Sequence, residues 1–250
     1  MTSFLILLFF GCLTGATTVL FGFGGGFVTV PVVYAVTAGA HAMHVAVATS
    51  AAVMIVNASI ATATHARSGG LRWEYLRPLA GWIALGAAVG AMAAGVVPDR
   101  TLRLLFAVYL VIAIADIVLR DGFLTTTGRA GAPAAVGSMV SGFGIGAAAA
   151  FLGVGGSVLT VPLLRRKGLP MMQATALANA LSLPVAVVAS IVYFGDIDLT
   201  AAAGLLAGAL PTIAVVERSL FRVPDRVHAI AYPSFLTVVL IGMVAAVSPW

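Results

Sequence analysis

FGFGGGFVTVP, residues 21–31, stands inside a long charge-free stretch, and LGVGGSVLTVP at 152–162 echoes it. Glycine costs a helix about 1 kcal/mol per residue and proline about 3, so each motif breaks the helix that carries it. A break leaves backbone N–H and C=O groups without helical partners. In hydrocarbon that is tolerated only where the backbone is buried in protein or lines a watery cavity. Two breaks at corresponding places therefore suggest a built element.

The rest of the chain says that the surroundings are hydrocarbon. Of 250 residues, 61% are hydrophobic and 8% charged, against about 25% charged in a soluble domain. The mean hydropathy is +1.12. No Asp, Glu, Lys or Arg precedes Arg67, and further charge-free runs cover 78–98, 130–164, 168–195, 199–216 and 227–250. A spanning helix needs roughly 20 apolar residues, so the chain reads as an all-α polytopic membrane protein. Helices are expected near 3–20, 27–38, 42–66, 75–96, 101–119, 133–151, 158–165, 169–194, 199–217 and 226–247. The N-terminus lacks a basic n-region and reads as the first membrane segment. The net charge of +5 fits basic loops of a membrane protein rather than nucleic-acid binding. One cysteine, Cys12, excludes an intrachain disulfide and a cysteine-rich metal site.

The chain is duplicated. Gly22, Gly24, Gly25, Thr29, Val30 and Pro31 recur 131 residues later as Gly153, Gly155, Gly156, Thr160, Val161 and Pro162. VPDR occurs at 97–100 and again at 223–226, and Gly69 aligns with Gly195 at the same offset of 126. At an offset of 129, His44 and Ser50 align with Gln173 and Asn179. Two of three equivalent loop pairs differ in charge: Arg67, Arg72 and Arg77, against Glu74, correspond to Asp196 and Asp198, and the uncharged loop 37–43 corresponds to Arg165, Arg166 and Lys167, while the two VPDR loops are both mildly basic and do not discriminate. Basic loops face the cytoplasm, so the halves are expected to be inverted, as in many secondary transporters. The boundaries read 1–119 for the first repeat, 120–132 for a cytoplasmic linker and 133–250 for the second repeat. Inversion requires an odd number of crossings per half. Three helices follow each glycine motif, so the broken segment must be re-entrant, leaving on the side it entered. Residues 27–38 span only about 18 Å at 1.5 Å each, and eight to ten spans result, depending on how the broken pairs are counted.

The helix after each break offers free N–H groups and the positive end of its dipole, a setting suited to anions. Pro31 and Pro162 are expected in the first turns, where a missing N–H does little harm. The paired GxGGxxxxxP pattern, GFGGGFVTVP and GVGGSVLTVP, resembles the TauE/SafE group of sulfite-exporter-like membrane transporters. ATS at 48–50, GLRW at 70–73 and GDIDL at 195–199 extend the likeness over essentially the whole chain. The resemblance implies movement of small sulfur-containing anions, such as sulfite or organosulfonates, across a prokaryotic inner membrane. One departure is Ala178–Asn179, where the group often has Thr-Ser.

The candidate substrate-binding residues are Gly24, Gly25, Gly26, Phe27, Thr29 and Ser50 in the first half, and Gly155, Gly156, Ser157, Thr160, Gln173 and Asn179 in the second. Ser50 and Asn179 are repeat mates that symmetry directs to one centre, and both can donate to an oxyanion. Thr49, Asn57 and Ser182 share their helices, although polar groups in spans also serve simply to bond helices together. His44 and Asp116 are coupling candidates, the first as a group that titrates near neutrality, the second as an acid within a span. Arg120, four residues beyond Asp116, offers the alternative of a pair at the membrane edge. Gly142, Gly144 and Gly146 suit close helix packing. No metal site and no cofactor is expected, and no Walker motif points to ATP. A passive anion or small-solute channel is the competing reading. A serine hydrolase using Ser157 and His228 is a third, which the repeat does not support, since Ser157 corresponds to Gly26.

Overall fold

The computed structural model describes residues 2–37, 39–67, 71–124, 135–219 and 223–245. Gly69, Gly70 and most of the expected linker lie outside them. Among the described residues ten α-helices follow in order: α1 (Thr2–Phe21), α2 (Gly26–Val36), α3 (Ala42–Arg67), α4 (Trp73–Ala94), α5 (Asp99–Leu119), α6 (Ala135–Leu152), α7 (Ser157–Arg166), α8 (Met171–Val192), α9 (Leu199–Ser219) and α10 (Asp225–Ala245). A 3-10 turn at Phe194–Asp196 joins α8 to α9. Pro98 and Pro170 stand at the N-caps of α5 and α8, where the missing N–H has no helical partner to lose. Pro170 also explains why α8 begins two residues later than the apolar run suggests.

Seven of the described helices are long and apolar enough to cross a bilayer: α1, α3, α4, α5, α8, α9 and α10. Large apolar side chains stay exposed along the outer helices, among them Phe9, Val89, Met92, Ile112, Val238 and Ile241. In a bilayer these face acyl chains. The chain is a polytopic helical membrane protein.

α3 and α8 form the centre and are the most buried spans. They run antiparallel. His41 and His44 at the start of α3 share a cavity with Val192, Tyr193 and Asp196 at the end of α8. Around them, α4 packs along α6 and α1 along α9, while α5 meets α10. Exchanging the halves turns the first of these pairings into the second, and maps the α3–α8 and α5–α10 pairings onto themselves.

Small residues make the paired contacts. Gly86 and Gly90 of α4 press on the backbone of Phe143 and Ala147, and Gly146 of α6 presses on Ile83. Gly142 lies against Leu79 and Trp82, whereas Gly144 points into open space. On the other side Gly11 and Gly15 of α1 meet Leu205 and Ala209, and Gly208 of α9 meets Leu8. A methyl group at these backbone contacts would strike a carbonyl oxygen. Each of the four helices thus carries a Gly-x-x-x-Gly pair (Gly204 and Gly208 in α9), which lets helices approach closely where no hydrophobic force drives them together.

The start of α3, the end of α4, the start of α5 and the end of α8 gather at one end of the bundle. The ends of α5 and α7 and the starts of α8 and α10 gather at the other. We refer to these as the His44 end and the Arg165 end. α1 runs in step with α9, and Tyr34 near the end of α2 accepts a hydrogen bond from Arg103 in the first turn of α5. The first broken pair therefore enters and leaves at the His44 end. α6 runs in step with α4, and α7 finishes beside Asp225, so the second pair enters and leaves at the Arg165 end.

Candidate functional site

Each break is a short reversal of backbone handedness. Gly22, Gly24 and Gly25 have φ of 74°, 61° and 96°, and Gly153 and Gly155 have 69° and 60°. Side-chain-bearing residues rarely adopt such angles. Gly156, the counterpart of Gly25, is an exception with φ −71°. Pro31 and Pro162 are each the sixth residue of their helix, one residue deeper than the expected starts at 27 and 158 would place them. Their missing N–H groups free the carbonyls of Phe27 and Val158, four residues earlier.

The breaks meet at the centre. Ser50 Oγ lies 2.6 Å from the carbonyl oxygen of Gly153 and 3.2 Å from that of Gly26, and can donate its single proton to either. A Cβ on Gly26 would stand 2.7 Å from the Gly153 oxygen, and the Met54 side chain lies against both Gly24 and Gly155. Asn179 makes the reciprocal link: its Oδ1 accepts from Gly24 N–H at 3.1 Å, and its Nδ2 donates to the Thr18 carbonyl at 2.9 Å. Each half thus closes the other half's break. The amide does both because its acceptor oxygen and donor nitrogen are separate atoms, which reach two different backbone groups.

The threonines act locally and alike. Thr29 Oγ donates to the Gly25 carbonyl at 2.8 Å and Thr160 Oγ to that of Gly156 at 2.7 Å. Phe27 stacks on Phe23 at 4.9 Å and on Phe106 at 6.3 Å, within an aromatic cluster that also holds Phe235 and Tyr232. Ser157 opens α7; its carbonyl accepts from Tyr232, while its buried hydroxyl has no partner among the described residues. The N–H groups of Phe27 and Val28 in α2, and of Ser157 and Val158 in α7, likewise find no acceptor there. Gln173 lies apart from the breaks, in the first turn of α8 beside the Asp225 contact. His228 bonds the Leu20 carbonyl rather than the Ser157 hydroxyl.

The coupling candidates sit at the two ends. His44 Nδ1 is 2.5 Å from Asp99 Oδ1, and its Nε2 is 3.2 Å from the Ala94 carbonyl. Both ring nitrogens face acceptors. Asp99 also accepts from the Met43 and His44 N–H groups at 2.7 and 3.3 Å, capping α3. At the other end Asp225 caps α8 through Met171 N–H at 2.7 Å and pairs with Arg165 at 2.8 Å. The duplicated VPDR supplies both caps. The sequence displayed this as a repeat, but a cap acting across more than 50 residues leaves no local trace. Asp116 is bound by Arg166 at 2.7 Å and Arg120 at 3.1 Å, a pair at the helix edge that ties α5 to α7. His41, His44 and Asp99 place possible metal-ligand atoms within 4.8 Å of one another, although His44 and Asp99 are already bonded together. The cavity beside them has a volume of about 700 Å³.

A bundle of spanning helices, with two buried helix breaks at its centre and an open cavity at one end, suits movement of a solute across a membrane. Residues 7–244 match the sulfite exporter TauE/SafE family, and the chain belongs to it. A probable membrane transporter protein of Haemophilus influenzae is 29% identical over 178 residues, 69% of this chain and 67% of that protein. No solved structure matches.

Proposed function

We propose that the protein is a secondary transporter, an exporter, of a small sulfur-containing anion such as sulfite or an organosulfonate, in the inner membrane of a prokaryote. The carrying observation is the junction of two helix starts with unpaired N–H groups, joined by Ser50 and Asn179 across the halves. Such N–H groups attract an anion through hydrogen bonds and the helix dipole together. The two halves act as inverted repeats, rocking about this midplane site to expose it at either end in turn. The described residues around both breaks are buried, which suits an occluded state of that cycle. His44, bonded to Asp99 beside the open cavity, is the group placed to carry a coupling proton, and Asp116 serves to fasten helices. Neither ATP nor a cofactor takes part, and the chain is not an enzyme. Outward movement of an anion down an inside-negative potential gains about 2.3 kcal/mol per charge per 100 mV.

Purified protein in liposomes should carry sulfite and methanesulfonate with saturable kinetics, and external anion should accelerate exit of labelled internal anion. Linear flux without this exchange would show a passive channel. Absence of any anion flux would overturn the proposal.

A further inference from the structure

The two breaks differ chemically. At the first, Asn57 of α3 is fully buried, and neither its Nδ2 nor its Oδ1 has a hydrogen-bond partner among the described residues. The Thr14 hydroxyl of α1 is in the same position. Both side chains converge on Gly25, the residue before α2: a Cβ there would stand 2.6 Å from Asn57 Nδ2 and 2.7 Å from Thr14 Cγ2. At the second break the repeat mates are apolar. Offsets of 131 and 129 place Ile145 opposite Thr14 and Ala186 opposite Asn57, and a Cβ on Gly156 would indeed meet Ile145, at 2.7 Å. Orphaned buried polar groups destabilise a fold, and the second half shows that apolar residues fit these positions.

We infer that the first break alone is the recognition site, and that its ligand is a singly charged oxyanion held by Asn57, Thr14 and the start of α2. The inference rests on the proposed anion transport and deepens it. Asn57 Nδ2, the Thr14 hydroxyl and the Phe27 and Val28 N–H groups are donors for oxyanion oxygens. The charge limit follows from what surrounds them. Arg165 is bonded to Asp225 at the far end of α7, and His44 to Asp99 thirteen residues before Asn57. Neither lies at the first break, so the donors named above, all of them dipoles, replace the ligand's water. The cost of desolvating an ion rises with the square of its charge, so a dianion loses about four times as much as a monoanion and gains no cation in return.

The test uses methanesulfonate, a permanent monoanion, and sulfate, a dianion at neutral pH, with the full chain in detergent and in liposomes. Millimolar methanesulfonate should raise the Tm of the wild type, and sulfate should not. Asn57→Leu fills the same space without polar atoms. It should abolish the shift and reduce methanesulfonate flux at least tenfold while its unliganded Tm stays equal or rises, which a structural asparagine would not allow. A shift retained in Asn57→Leu overturns the inference, as does one lost in Ser157→Ala but kept in Asn57→Leu, which would place the ligand at the second break. Sulfate carried as well as methanesulfonate overturns the charge limit. Wild-type protein that carries no anion overturns the proposed function with it, whereas wild-type flux that persists in Asn57→Leu overturns this inference alone.

Discussion

Ser50 and Asn179 are repeat mates with unequal work. Ser50 has one proton to give to the Gly153 carbonyl, while Asn179 both accepts from Gly24 and donates to Thr18. Replacing Asn179 by leucine orphans the buried Gly24 N–H, at about 1–3 kcal/mol, and takes one of two donors from the Thr18 carbonyl, which keeps the Gly22 N–H, at about 1 kcal/mol more. Asn179→Leu should therefore lower stability by about 2–4 kcal/mol, and Ser50→Ala by about 1–2 kcal/mol. Thermal unfolding in detergent would check the order. Asn179→Ser restores one of the two bonds and should fall between wild type and Asn179→Leu. An Asn179→Leu protein as stable as wild type would show that the cross-half bonds do not hold the breaks closed.

At the scale of elements, the glycine pairs and the acidic caps set how helices meet. A leucine at Gly146 would drive α6 away from Ile83 of α4, at a cost above the 1–3 kcal/mol usual for overpacking. Gly144→Leu, which points into open space, should leave Tm within a few degrees of wild type. Arg165 is fully buried and bonds Asp225 and the carbonyls of Phe123 and Leu169. Asp225→Ala strips the cap from α8 and leaves a buried guanidinium without its counter-charge, a change worth about 3 kcal/mol. Arg165→Met removes the charge itself and should cost less, by chemical denaturation of the two variants. Much of this architecture was legible in advance. The doubled glycine motif located both breaks within a residue or two. What stayed hidden depends on contacts between distant segments. Thr14 belongs to no motif, and Asn57 looks like any polar residue in a span until Gly25 is set against it. VPDR was visible as a repeat but silent about its purpose, because Asp99 and Asp225 act on helices that begin more than 50 residues before them.

Over the described residues the lysines and arginines are sorted by end. Arg67, Arg72, Arg77, Arg120, Arg165, Arg166, Lys167, Arg218 and Arg226 lie at or near the helix termini of the Arg165 end, while Arg100 and Arg103 lie at the His44 end with Asp99, Asp196 and Asp198. Basic loops remain in the cytoplasm, so the Arg165 end should face inward and the His44 end outward. With Cys12 replaced by serine, a cysteine at Ala40 should react with an impermeant maleimide applied to whole spheroplasts, and one at Leu124 only after lysis. The reverse pattern would invert the assignment. The reciprocal closure of the breaks also has a consequence in time. The ribosome delivers α1 to α5 well before α8, so the Gly24 N–H must wait for Asn179, more than 150 residues downstream. During that interval the Gly24 N–H lacks the acceptor that closes its break. A first half alone would lack that side chain, and synthesis of α8 is the step that completes the centre of the molecule.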